Sequence, residues 1–580
     1  MSGQRTLPQQ GYILVTALVF MAILMLLGTL MITGSVSGIQ QAGGFSGLVR
    51  TRAAAEAGQA SSAFDLRESI ITDLNTILKP YADSFAASKF DAKVTPIVAD
   101  FQYKSVEISL NSLPTVVKSG SLEGVTYTSK VVFANFRADQ EYTAIGQTYY
   151  VDYKVESIGK QNKFTRRTAT NGTLAIQMGR KYLNQFLLLA DDGGSEERNY
   201  FTTDMNYDGP VHVNKNWMFT GQPRFSLGAT TAAREVKMTD CKGKSFLVST
   251  QSLPPCTTPD WGNRSLQYGQ SSIELPTNSA SQKAISLGPN FKGTVSTIKD
   301  VCDALGVKDN DCKSAVPTGV YLPPAGGLYI QGNAEIIMSK TAAEQVYTVK
   351  QGTTVTTITV NYVTKRTKIV SGTTTTERDG VPNGQLYVEG EITSLKGPER
   401  TGALPSSLPA TAVPSQVVPA LHPLSQLNIA ATSNIVLTGD LTYTDDPRQV
   451  VGAKNVLGLI AGTGSVLIGN DARNAPSDIY IHAAILAGAA NKGFGVMDVR
   501  RAPAQGSIHL LGSVAASKEP PRGVFSFQSD GLPKLIGGYG DDFSFDQRFL
   551  NGGTVPPNFP ATSRFEAKTA LPTQTDWTED

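Results

Sequence analysis

A chain of 580 residues is longer than one hydrophobic core organises, so at least two domains are expected. Its 51 basic and 49 acidic side chains nearly cancel, leaving a formal net charge of +2 that neither demands nor forbids a nucleic-acid partner. Only 17% of residues are charged and 55 are glycine, which excludes a charged helical bundle and suits long β-structure with many turns.

The first element is apolar. Tyr12 to Ile32 carries no charge, and only Thr16, Gly28 and Thr29 interrupt the run. A helix of that length covers the roughly 30 Å hydrocarbon core of a bilayer. It exceeds the usual core of a secretory signal, about 7–15 residues. After a glycine-rich joint (Gly34, Gly38, Gly43, Gly44, Gly47) comes "LVRTRAAAEAGQASSAFDLRESIITDLNTILKP", rich in helix formers. Ala53, Ala57, Ala60, Phe64, Ile71, Leu74 and Leu78 recur at helical spacing as one apolar stripe, and Pro80 is expected to end it. Span and stripe read as one glycine-interrupted helix of about 65 residues, about 100 Å long.

A hydrophilic leader ending in Gly11, an apolar stretch from Tyr12 and an amphipathic continuation containing "AAEAG" resemble type IV pilins, above all the PilX-like minor pilins. The resemblance implies cleavage after Gly11 by a prepilin peptidase, with Tyr12 the first mature residue. It implies a single-pass inner-membrane protein before assembly, then a pilus subunit in the periplasm and at the cell surface. Its partners would be other major and minor pilins, packed through this helix. Most pilins carry a Glu five residues into the mature chain, where this sequence has Thr16. A buried carboxylate needs a positive partner. Its absence, shared with PilX-like and GspK-like tip subunits, implies a place at or near the filament tip.

Residues 81–184 are expected to form the antiparallel sheet of that pilin-like domain, so that the leader (1–11), the helix (12–80) and the sheet make an α+β unit. The clearest hairpin has Tyr149, Val151, Tyr153 and Val155 on one face, a turn near Gly159, and a returning strand from Phe164 to Ile176. Lys160, Lys163, Arg166 and Arg167 lie near the turn and read as a solvated tip.

From 185 to 560 the sequence reads as all-β. A short phrase recurs at irregular spacing: apolar, any, apolar, any, Gly or Ala, any, apolar or small. It begins at Trp217, Leu328, Leu386, Ile435, Ile479 and Ile508. Inward apolar residues followed by a glycine corner describe coils stacked around a narrow core, a β-solenoid with excursions. The Thr/Val/Ile-rich stretch 347–380 reads as a two-stranded ribbon. The segments 207–225, 466–487 and 539–560 resemble stretches of large competence-associated tip pilins, in which a β-solenoid is set into the pilin sheet. Residues 561–580 could then supply a last strand of that sheet.

Cys241, Cys256, Cys302 and Cys312 fall within one stretch. Cys241 and Cys256 could close one loop and Cys302 and Cys312 another; an exported chain favours disulfides over free thiols, and the sequence leaves their pairing open. The C-x-x-C spacing of a zinc site is missing, and neither a metal nor another cofactor is expected. Asp440, Asp445, Asp446, Asp541, Asp542 and Asp546 are the carboxylates a catalytic site would draw on. Asp541 and Asp542 read as turn residues, and His212, His482 and His509 as exposed strand positions. No catalytic motif accompanies them, and no enzyme is expected. Binding is the better expectation. Double-stranded DNA is drawn to Lys and Arg along a groove, and the candidates are Lys365, Arg366 and Lys368, then Arg500, Arg501, Lys518 and Arg522. The functions that follow are DNA capture for uptake, adhesion without DNA, or a secretion-system pseudopilin.

Overall fold

The computed structural model describes residues 10–87, 116–143, 146–179, 181–193, 200–203, 205–240, 244–249, 256–262, 264–270, 272–289, 291–405, 413–469, 477–501, 504–527, 533–552, 554–562, 566–569 and 573–579. Two compact units emerge: Met1–Lys79 with Gln102–Gly179 and Glu566–Asp580, and Pro80–Phe101 with Arg180–Phe565.

The first unit begins with helix α1 (Gln10–Ala87). Neither the glycines at 34–47 nor Pro80 interrupts it, contrary to the expected joint and stop. A helical glycine costs only about 1 kcal/mol and an interior proline about 3 kcal/mol, which a helix of 78 residues can absorb. Within α1, Thr16–Ser62 contains a window of mean hydropathy 2.3 with none of it buried, long and apolar enough to cross a membrane.

Four antiparallel strands follow: β1 (Val116–Leu122), β2 (Val125–Thr143), β3 (Gly146–Gln161) and β4 (Phe164–Gly179). Two strands from the far end of the sequence, Glu566–Thr569 and Thr573–Glu579, pair with β4. Val151, Tyr153 and Val155 are buried, as their alternation requires. The β3–β4 turn falls at Asn162, which takes a positive φ of 54°, close to the position expected near Gly159.

Gly159 itself lies inside β3, where any Cβ would collide with the carbonyl oxygen of Thr51 in α1. The face of α1 that packs on the sheet is correspondingly made of Thr51, Ala54, Ala55, Gly58 and Ser62. Of the expected stripe, Ala53 and Ala57 are half-buried and Ala60 is exposed, while the side chains of Phe64, Ile71, Leu74 and Leu78 lie outside the described set. Small size, not apolarity, decides this face, because helix and sheet meet backbone to backbone. The hydroxyls of Ser62 and Ser129 hydrogen-bond across the contact.

The second unit is a large sheet-rich body. Between Leu328 and Lys518 the chain alternates between two open sheets. Strands Leu328–Gln331, Gln385–Glu389, Gln426–Ala431, Val456–Ala461, Ile479–Ala487 and Ala504–Lys518 stack in parallel in one. Ala334–Lys340, Ile392–Lys396, Ile435–Leu437, Val466–Ile468 and Phe494–Val496 stack in parallel in the other. Parallel strands buried on both faces read as continuous apolar runs, and all nine residues of Ile479–Ala487 are buried.

Four of the six repeated phrases stack in pairs, Leu328 on Leu386 and Ile479 on Ile508, whereas those at Ile435 and Trp217 lie in other sheets. Gly332 and Gly390 turn the chain from one sheet into the other with positive φ (94° and 157°), a region costly for residues with a Cβ. In two phrases the corner is missing: Ala483 and Gly512 lie inside strands. The expected ribbon at 347–380 is four antiparallel strands, Glu344–Gln351, Thr354–Asn361, Arg366–Ser371 and Thr374–Asp379. Their turns use Gly352, Lys365 and Gly372, all at positive φ, so the stretch folds back three times where one reversal was expected.

Candidate functional site

Two surfaces bear on function: the apolar helix, and the polar rows of the sheet-rich body. On α1, Leu18, Phe20, Met25, Met31, Ile39 and Phe45 are all more than half exposed. A contiguous apolar surface of this length is unstable in water and marks a membrane or protein partner. Gly11 and Tyr12 fall within α1, their side chains outside the described set, and Thr16 is exposed.

The cations expected to meet DNA differ in their surroundings. Arg366 pairs with Asp379 (3.0 Å) and Glu377 (3.8 Å), and Lys368 with Glu377 (3.6 Å), each on the neighbouring strand. Lys365 occupies the exposed turn beside them. Arg500 is exposed in the short helix Val499–Arg501, where the Arg501 side chain is not described. Lys518 is half-buried at a strand end.

Arg522 is a correction. Its side chain is 4% exposed, clamped by Asp541 (2.6 Å) and Glu519 (2.7 Å), with the Tyr207 hydroxyl donating to Asp541 at 3.0 Å. A guanidinium enclosed this way cannot reach a phosphate. Burial outweighs Arg522 at Glu519 and pushes its carboxyl above the usual range.

The aspartates and histidines also differ from expectation. Asp541 and Asp542 lie in the strand Pro533–Phe545, not in a turn, and His212 and His482 are buried. His212 contacts Thr230 (2.8 Å) and Asn214 (3.0 Å). Burial drives the His482 pKa down to about 3, so this imidazole is neutral, and its Nδ1 accepts the amide of Tyr443. Asp546 is paired with Arg548 (2.6 Å) and Asp446 with Arg448 (2.7 Å), while the Asp445 backbone amide donates to the Asn455 side chain and its carbonyl accepts from it.

His509 completes a row running across the strands. Tyr480, His509 and Asp542 are register partners on three successive strands. The tyrosine and imidazole rings stack at 4.6 Å. Nδ1 of His509 lies 2.7 Å from Asp542, and Nε2 lies 3.1 Å from Asp478. Burial disfavours the imidazolium, but the two carboxylates outweigh it and raise the pKa to about 9. The row continues through Arg400, which donates to the Asp478 carbonyl (2.6 Å) and in a fork to Asp440 (2.5 and 2.8 Å).

This is an ion-paired ladder joining strands, and the cavity beside it, about 10 Å³, holds at most one water. Arg400 and Asp478 had no sequence signal. Tyr480 and His509 did have one: both are the second residue of their phrase, so superposing the phrases places them on one column.

Cys302 and Cys312 are disulfide-bonded, their Cα atoms 6.4 Å apart, one of the loops the sequence allows. Cys256 is also disulfide-bonded, and Cys241 lies outside the described residues.

A family model described as a domain of unknown function (DUF4900) matches residues 148–241, from β3 into the first strands of the body. No curated protein matches the chain. Among solved structures, the competence-associated pilin ComZ from Thermus thermophilus is similar, with a TM-score of 0.29 and 8% identity over 85% of this chain and 98% of that one.

Proposed function

We propose that this protein is a type IV pilus minor pilin that carries its sheet-rich body, a β-solenoid in our reading, at or near the filament tip. One observation carries the reading. The apolar stretch of α1 is exposed, and the same unbroken helix continues into a segment packed on an antiparallel sheet. Such a helix suits a membrane first and a bundle of sister helices afterwards. Processing after Gly11 and the tip position indicated by Thr16 belong to this proposal. N-terminal sequencing of protein recovered from sheared filaments tests it. A start at Tyr12 supports it, and a start near residue 38 or recovery only as a secreted monomer rejects it.

The ligand reading that accompanies it is double-stranded DNA. Arg522 drops out, and Arg366 and Lys368 are already paired, so DNA would meet chiefly the exposed Lys365 and Arg500. Duplex binding titrated across salt concentrations tests this, with log K falling by about 0.9 per phosphate contacted for each decade of salt. The absence of retardation at low salt leaves adhesion without DNA. No catalysis is assigned: His509 is held as a cation, and its row has no room for a substrate.

A further inference from the structure

We infer that the β3–β4 turn is a seat for anionic phospholipid head groups, which holds the helix-and-sheet unit tilted down onto the membrane that α1 enters. The inference rests on the reading of α1 as a membrane span and specifies what the residues beside that span meet.

The sheet sits on α1 in a fixed sense. A Cβ on Gly58 would strike Ser157 and Tyr127, one on Gly159 would strike the Thr51 carbonyl, and one on Gly47 would strike the Phe164 ring. From Ser157 to Phe164 the hairpin thus travels back along the helix, and the turn at Asn162 lies near Gly47, at the end of the sheet nearest the apolar stretch. The β1–β2 turn at Glu123 and Gly124 lies at the same end, because Thr126 of β2 pairs with Lys160 of β3.

Apolarity gives way to positive charge at this level. No side chain from Tyr12 to Val49 is charged, and Arg50 follows. Phe45 is 72% exposed, Val49 49%, and Leu122 at the β1–β2 turn 39%. Beside them Arg50, Lys160 and Lys163 are exposed and Arg166 is half-buried. None of these four cations forms an ion pair among the described residues. Against them stands Glu123 in the β1–β2 turn, a single negative charge, while Arg52 and Glu56 cancel each other (2.9 Å). Arg167 contributes less, since it faces Glu156, whose carboxyl Lys154 (2.7 Å), Arg167 and Lys130 hold below the usual range.

Helix length turns this end toward the lipid. At about 1.5 Å per residue the uncharged run measures about 57 Å, against a hydrocarbon core of about 30 Å. A stretch longer than the core is accommodated by tilt, and lysine and arginine at its border set the direction of tilt. Leaning toward the β3–β4 turn brings the four cations within the roughly 8–10 Å over which an anionic leaflet attracts them. Exposed apolar side chains flanked by lysine and arginine settle at the border of a bilayer. A zwitterionic leaflet has no net charge for them to meet, so lipid composition decides the contact.

Energy transfer in lipid discs tests this. The full chain, its cysteines oxidised, carries a fluorescent donor at Thr165→Cys, and the discs carry an acceptor on the lipid head groups. Transfer should be about twofold higher in discs with about 30% phosphatidylglycerol than in pure phosphatidylcholine, and about 1 M salt, which shortens the Debye length to about 3 Å, should remove the difference. Joint replacement Lys160→Glu, Lys163→Glu and Arg166→Glu should remove it as well. Should that variant fail to fold, the salt and lipid comparisons decide with the charges intact. Flotation with vesicles at alkaline pH separates this inference from the reading beneath it. A chain that fails to float overturns the membrane span and this inference with it. A chain that floats but transfers equally in both lipids, or keeps the difference in the folded triple variant, overturns this inference alone. Equal transfer in both lipids, with duplex DNA retardation that the triple variant loses, would assign the cations to nucleic acid and overturn it likewise.

Discussion

Gly159 of β3 rests on the backbone of Thr51 in α1, so close that no side chain can be placed between them. Gly159→Val should therefore push the helix off the sheet. A cost of about 2–3 kcal/mol is expected, read as a lower thermal midpoint and faster proteolysis between β3 and β4. Lys160→Ala next to it should do neither.

His509 predicts a pH dependence. Its pKa rises from an ordinary 6.5 to about 9 on folding. Its contribution is therefore fully present below about pH 6.5 and is lost as pH climbs through 9, amounting to at most about 3 kcal/mol. Chemical denaturation at pH 6 and pH 9.5 should show this loss, and His509→Gln should abolish the difference.

Arg522 neutralises Glu519 and Asp541 in a site closed to water. Arg522→Gln should cost about 3–5 kcal/mol because it strands two buried carboxylates. The variant should recover stability in acid, where they take up protons. DNA affinity per folded molecule should not change. A selective loss of DNA binding in a fully stable variant would contradict the buried placement.

The Cys302–Cys312 bridge closes a loop with a sequence separation of 10. Chain entropy gives it about 3 kcal/mol. Cys302→Ser with Cys312→Ser should lower the unfolding midpoint of the body accordingly, and reductant should have no further effect through this loop.

Gly179 of β4 is the register partner of Glu566. Replacing residues 180–565 by a turn of a few residues should leave the helix-and-sheet unit folded, as followed by near-ultraviolet circular dichroism. Loss of all near-ultraviolet signal would show that the unit depends on the body.

Much of this was legible in advance because it rests on periodicity. The β3–β4 alternation, the membrane-length apolar run and the phrases at Leu328 and Leu386 follow from side-chain spacing alone. What was not legible depends on partners distant in sequence. The packing face of α1 is chosen by where Gly159 lets the backbone in, which no helical pattern encodes. Arg522 looks like any surface arginine until Asp541, nineteen residues on, is folded against it. His509 sits in an outward slot, yet Asp478 and Asp542 close over it from either side.

The pairing of β4 with strands that begin at Glu566 also sets an order of events during synthesis. The ribosome releases those strands only after the whole body has emerged. Until then β4 presents an open edge, and the sheet on the helix is unfinished. The last step in maturing such a molecule is thus the closing of the part made first, and a chain truncated anywhere in the body would keep that raw edge.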